Sequence, residues 1–229
     1  MFSPRREVPF AGHPSVGTAH VVLDAGLAEL IDGHIVQEGV AGTLPLAVTG
    51  AGASRTIAVR TPSARGVEAA EAGDARLAAA LATFEPGALP PALMDGGRRW
   101  WLAEVASESA LRGAAPDWDA IAQLAETTET MGLCAFARAD AGRDYDLVVR
   151  AFVGAPARFE DAASGAANAT LAAWLRHNDA LPGSGGRYTV SQGREVGFDA
   201  RLQLRVDADG EVWSGGQVCN VVRGTIDWA

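Results

Sequence analysis

Apolar positions recur along this chain with two different periods. Leu44, Leu46 and Val48 alternate with their neighbours over 43–49, Ile57 and Val59 do so over 54–61, and Leu202, Leu204 and Val206 repeat the pattern over 200–206. A period of two turns one face of a strand toward a core. His34 to Glu38, Arg99 to Val105, Gly132 to Ala137, Asp146 to Phe152, Tyr188 to Gln192 and Val212 to Val222 complete the expected strands, with Trp100 and Trp101 half-buried. Asp209-Gly210 lies between two alternating runs and marks a hairpin. Helical spacing is expected over about 14–25, over 66–84 where Leu77, Leu81 and Phe84 share a face, over Trp118 to Glu126 behind the cap Asp117, and from Ser164-Gly165 to about His177. The Pro/Gly-rich stretch from Pro86 to Pro91 is the expected boundary between an N-terminal lobe, 1–90, and a C-terminal lobe, 91–229.

The first of these helices starts unusually. Pro9 ends an extended segment, Gly12 permits a turn, and His13-Pro14-Ser15 opens a helix in which proline loses no needed N–H. Small residues, Gly17 and Ala19, follow before an apolar run. The arrangement recurs later in the chain, where His13 falls on Asp161, Gly17 on Gly165, Ala19 on Ala167 and Leu23 on Leu171. Each copy is a polar residue, a small-residue helix start, an apolar run and then strands, which points to an internal duplication. The copies differ in what precedes them. A helix and two strands lie ahead of Asp161, whereas only Phe2-Ser3-Pro4 and a few more residues lie ahead of His13, so the first copy is expected to lack its opening helix and strands.

Composition narrows the chemistry. A chain of 229 residues, 48% of them hydrophobic, can bury a sizeable core. No run approaches the ~18 apolar residues of a membrane span, and the N-terminus has no signal-peptide core. Two cysteines give no disulfide framework and point to a reducing cytoplasm. The net charge of −9 argues against nucleic acid as a partner. All 19 basic residues are arginine, so Schiff-base chemistry and a phosphate-binding-loop lysine are excluded.

The candidate chemistry gathers at the two helix starts. His13 can donate to a carboxylate or pass a proton, or it can merely cap its helix. Asp161 can hold an amine or hydroxyl during proton transfer, or satisfy backbone N–H groups as a cap. The backbone around Gly12, His13, Gly165 and Ala166 forms an anion cradle, a signal that only its doubling raises above the ordinary. Glu7 and Glu160 are expected to be solvated or structural. Cys134 and Cys219 fall in expected strands as buried, inert thiols. His20, His34 and His177 lack ligand spacing, so no metal site is expected. The tryptophans read as core and interface.

The stretch Phe2-Ser-Pro-Arg-Arg-Glu-Val-Pro-Phe-Ala-Gly-His-Pro-Ser-Val-Gly-Thr-Ala19 resembles the first signature of the PhzF-like (phenazine biosynthesis) proteins. Glu160-Asp-Ala-Ala-Ser-Gly-Ala-Ala-Asn168 resembles their second, preceded by Arg150 and Phe152. A third, Gln192-Gly193 with Gly197, is weaker, because Phe198-Asp199-Ala200 replace Arg-Pro-Ser. Gly215-Gly216-Gln-Val and Arg223-Gly224 also fit, so the resemblance spans essentially the whole chain.

That resemblance implies an α+β, diaminopimelate-epimerase-like fold. Two pseudo-symmetric lobes would each curl a mostly antiparallel sheet around a central helix, with both helix N-termini aimed into a shared cleft. It implies a cytoplasmic, commonly homodimeric isomerase without cofactor or metal, moving a proton on a small carboxylate-bearing substrate. His13 and Asp161 would be the catalytic pair and Gly12, Gly165 and Ala166 would bind substrate, with no nucleic acid or membrane involved. The family's acid/base is a Glu in a Ser-Glu-Thr-like segment upstream of the His-Pro motif. This sequence starts downstream of that place, so it is expected to be N-terminally truncated, by a misplaced start or as a short paralogue. The alternative is a non-catalytic member that keeps the cleft as a binding or interaction protein. Related racemases face two thiols across the cleft, which Cys134 and Cys219 do not match. Ala166 stands where the family has Ser, so substrate contacts are altered.

Overall fold

The computed structural model describes residue 2 and residues 7–66, 74–155, 157–225 and 227. Ser3 to Arg6 of the opening motif, residues 67–73 of the Ala/Glu-rich stretch and Trp228 lie outside these described residues.

Among the described residues twelve strands form one sheet. Its first half runs β1 (His34–Gly39), β2 (Gly42–Thr49), β3 (Thr56–Arg60), then β12 (Val212–Gln217), β11 (Ala200–Val206) and β10 (Arg187–Gln192). It continues through β8 (Leu147–Val153), β7 (Gly132–Arg138), β6 (Arg99–Glu104), β5 (Ala92–Asp95) and β4 (Arg65–Gly66), with β9 (Phe159–Asp161) beside β8. Pairing is antiparallel except between β6 and β7 and between β8 and β10. The triplets β1–β2–β3 and β10–β11–β12 follow the two copies of the helix start, and they join edge to edge where β3 pairs with β12.

Two helices occupy the concave side, α1 (Gly12–Asp24) and α5 (Gly165–His177). The sheet curls around α5, which touches β11 and β12 on one side and β4, β5 and β6 on the other. Leu171, Trp174 and Leu175 bury there against Trp100, Phe136 and Val190. α1 lays Val16 and Ala19 on Leu46, Ile57 and Val59. Its other flank is open, with Val21 at 52% exposure, and β1 stands at one end of the strand order. The result is the α+β arrangement of two curled units around central helices that the resemblance implies.

A third layer lies on the outer side of the sheet. α2 (Ala75–Leu81), α3 (Glu108–Gly113) and α4 (Trp118–Thr128) cover the outer face of β5–β8 with Leu77, Leu111, Ile121 and Leu124. Strands covered on both faces read as continuous apolar runs. Trp100 and Trp101, expected to be half-buried, are each 2% exposed, because Trp100 packs toward α5 and Trp101 toward the outer helices. β4 pairs with β5 and α2 packs on α4, so residues on both sides of Pro86 to Pro91 share these layers.

Other boundaries moved for local reasons. The strand expected over Val212 to Val222 stops at Gln217, leaving Val221 and Val222 exposed. α2 is a seven-residue helix capped by Asp74, which accepts from Arg76 N–H at 2.9 Å. Four short elements were not foreseen, the two-residue β4 among them. α3, capped by Ser107, is six residues long, and β5 and β9 are four and three. Pieces this short carry too few positions to show a period. The Asp117 cap of α4 stands as expected, accepting from the N–H groups of Asp119 and Ala120.

α3 is held by a buried ion pair. Glu108, 1% exposed, accepts from Arg112 Nε at 2.8 Å, Tyr145 OH at 2.7 Å and Asp140 N–H at 3.0 Å. Arg112 continues to Glu195 at 2.6 Å and to Ser191 Oγ at 3.0 Å, tying α3 to the end of β10. Burial alone would push the Glu108 carboxyl up. The Arg112 guanidinium and the two further donors outweigh it and hold the carboxyl at about 2.

Candidate active site

The two helix starts meet. A Cβ placed on Gly12 would lie 3.1 Å from the α-carbon of Gly165, and one placed on Gly165 would lie 3.1 Å from that of Gly12. Even a methyl group there would need the facing main chain to give by a few tenths of an ångström, so α1 and α5 approach each other closely at their starts. The first N–H groups of each helix have no acceptor within their own helix. Their positive ends therefore add at one place.

His13 stands at this junction and lines two cavities. The smaller, of about 380 Å³, also touches Gly12 and Gly165 and is walled by β11 and β12, with Asp199 and Arg201 among its polar residues. The larger, of about 720 Å³, adds Asp161, Phe159 and the exposed flank of α1 at Val21 and Val22. Asp161 and His13 thus border one cavity, although they come from opposite halves of the chain. Ala163 borders both spaces. The side chain of Ala166 lies elsewhere, against the apolar cluster under α1, while its carbonyl accepts from Thr170 Oγ1 at 2.9 Å.

Local chemistry sets these positions. Ser164 caps α5, accepting from Ala167 N–H at 3.4 Å. Asp161 closes a tight turn by accepting from Ala163 N–H at 3.2 Å, so its carboxylate acts as a local cap and borders the cavity at once. α1 has no side-chain cap; Ser15 Oγ instead donates back to Ala11 O at 2.9 Å.

The other carboxylates take structural places or stay on the surface. Glu160, its side chain 4% exposed, forms a two-pronged pair with Arg150 at 3.0 and 2.8 Å. Arg150 also donates to the carbonyls of Leu111 and Ala114. Glu7 is exposed and bridges to Phe2. At the rim of the smaller cavity Asp199 lies between Arg201 at 2.6 Å and Arg194 at 3.3 Å, and the Arg201 guanidinium beside it holds its carboxyl below the usual range.

The thiols require one correction. Cys134 lies on β7, fully buried, and burial pushes it up to about 12. Cys219, expected on a strand, follows the end of β12 and is exposed. Neither lies at a helix start. His20 is buried near Asn220 and Asp24, and His34 is on the surface. Among the described residues no three of His, Cys, Asp and Glu gather as metal ligands, and no helix is long and apolar enough to cross a membrane.

The family description "Phenazine biosynthesis-like protein" matches residues 1–223. The chain is 29% identical over 211 residues to the trans-2,3-dihydro-3-hydroxyanthranilate isomerase of Pseudomonas aeruginosa, covering 92% of this chain and 70% of that protein. It is 24% identical over 232 residues to antisense-enhancing sequence 1 of Schizosaccharomyces pombe, covering 98% and 77%. Among solved structures, a predicted epimerase from Pseudomonas aeruginosa superposes with a TM-score of 0.77 at 22% identity, covering all of this chain and 78% of that one.

Proposed function

This chain belongs to the phenazine biosynthesis-like family, and from that premise we propose that it is an isomerase that moves a proton on a small carboxylate-bearing substrate without a cofactor. The carrying observation is the Gly12–Gly165 approach, which brings two helix N-termini to the smaller cavity, together with His13, which borders both that cavity and the neighbouring space lined by Asp161. A substrate carboxylate binds at the first N–H groups of α1 and α5, where the positive helix ends add. His13 donates a hydrogen bond to the substrate or passes it a proton, and Asp161 holds its amine or hydroxyl. Fixing a ring between two such groups lowers the cost of enolising it, because the charge that develops meets donors already in place. The chain spans 70% of the length of the isomerase relative.

The test is solvent-deuterium incorporation into trans-2,3-dihydro-3-hydroxyanthranilate and a panel of related ring acids, followed by NMR. It is run on the 229-residue chain and on a chain extended upstream from genomic DNA. Incorporation that falls about 10²-fold or more in His13→Gln and Asp161→Asn, with the fold retained, supports the reading. Incorporation in neither chain, or incorporation indifferent to both substitutions, refutes it.

A further inference from the structure

The Gln192-Gly193 pair has so far had no part in the chemistry, yet it supports the turn that carries Asp161. Gln192 ends β10 and is 0% exposed. Its Nε2 donates to the carbonyl of Asp161 at 2.6 Å. Its Oε1 accepts from Ser164 N–H at 3.2 Å and from Asn168 Nδ2 at 2.8 Å. Asn168, also 0% exposed, donates with the same Nδ2 to the carbonyl of Ser164 at 2.8 Å. One amide thus grips both ends of the segment from Asp161 to Ser164, and a second amide fastens it to the first turn of α5.

Gly193 lets this happen. It sits at φ +85°, and a Cβ there would fall 2.4 Å from the carbonyl oxygen of Ala162 and 2.9 Å from its α-carbon. The strand end therefore abuts the turn backbone to backbone, and any larger residue would push the two apart.

We infer that Gln192 is a positioning residue, which fixes the Asp161 turn on the N-terminus of α5 and so sets where the Asp161 carboxylate meets the cavity. A buried amide with each end matched to a different main-chain group admits one geometry, because a shift of the turn strands a donor or an acceptor away from water. The role rests on the proposed activity only in so far as Asp161 acts on substrate; the placement of the turn can be measured without it.

The experiment uses the full chain. In the wild type, a through-hydrogen-bond NMR coupling between Gln192 Nε2 and the Asp161 carbonyl is expected, and its absence would overturn the inference without any variant. Gln192→Glu, read at a pH where the carboxylate is ionised, keeps both acceptor roles and puts an oxygen against the Asp161 carbonyl where the amide donated. In that variant Ala163 N–H should exchange with solvent roughly ten-fold faster while Ser164 stays protected. Gln192→Leu should release both, with Val190 in the same strand unchanged. Equal loosening of Val190, or exchange at Ala163 within about two-fold of wild type in both variants, counts against a positioning role. In the deuterium assay with trans-2,3-dihydro-3-hydroxyanthranilate, both variants should lose about ten-fold in kcat with little change in KM. Should the wild type fail to exchange deuterium at all, the proposed activity falls, while the coupling and amide measurements still decide this inference.

Discussion

Gly12 and Gly165 face each other so closely that a Cβ on either would lie 3.1 Å from the other's α-carbon, and this approach joins the two halves of the molecule at the point where its candidate chemistry lies. The helices that carry them are otherwise unlike. α5 is sheathed by strands nearly all round, whereas α1 keeps an exposed flank. What the two halves share is a start without side-chain bulk, so each can place its first N–H groups beside the other's.

Gly12→Ala and Gly165→Ala should each destabilise the protein by about 1–3 kcal/mol, since a methyl group must force two main chains apart. Activity should fall further than stability, because a displacement of even ~1 Å at a reacting centre costs on the order of 10²-fold. Gly17→Ala is the control. Open space surrounds that position in α1, so the substitution should stabilise by about 0.5–1 kcal/mol. Urea midpoints read alongside deuterium exchange would check all three, and an inert Gly12→Ala would contradict the contact.

Glu160→Gln should cost about 3–5 kcal/mol, because Arg150 would remain buried at 5% exposure without its counter-charge. Replacing both residues by apolar ones should recover part of that loss. The recovery is incomplete, since Arg150 also holds the carbonyls of Leu111 and Ala114. A double-mutant cycle measures the coupling, and strictly additive losses would show that the pair does not act as a unit.

Glu108 makes stability depend on acid. Its folded carboxyl is held at about 2 against an ordinary value of 4.5, so the folded state binds this proton less readily than the unfolded chain. The stabilisation, roughly 3 kcal/mol, is complete above about pH 5 and is lost as pH falls toward 2. Glu108→Gln should flatten that part of the stability–pH curve while lowering stability at neutral pH. Denaturant titrations from pH 7 to 2.5 on both proteins provide the comparison, and parallel curves would remove Glu108 from the account.

Native protein should present one reactive thiol to Ellman's reagent and two after unfolding. Cys219 is exposed, whereas Cys134 is buried and held up near 12, so almost none of it is thiolate at neutral pH. Cys134→Ser should leave deuterium exchange intact once its folding cost is allowed for. Loss of exchange on blocking Cys219 alone would put a thiol into the chemistry.

Much of this was legible in the residues. Alternation at Leu202, Leu204 and Val206 located β11 to its ends, and Ser164-Gly165 located the start of α5. Those signals are local, as one strand face or one helix turn imposes its own period. The recurrence pairs Gly165 with Gly17, whereas α1 starts at Gly12 and α5 at Gly165, so its register was not the structural one. That His13 and Asp161 border one space was an implication of the family resemblance. The burial of Trp101 and the short strands β5 and β9 were not legible, because they depend on what arrives from elsewhere in the chain. Glu160 similarly declares its role only when Arg150 is seen beside it.

The amino-acid order by itself determined the duplicated small-residue helix starts, most strand periods and the exclusion of lysine chemistry, since these follow from residue type and spacing alone. Only the tertiary structure decided that Gly12 meets Gly165, that Gln192 reaches back under the Asp161 turn, and which carboxylates are locked in ion pairs. Such contacts join positions far apart in the chain. Their geometry is fixed by how the curled sheet closes over two helices, and that depends on all of the packed side chains together.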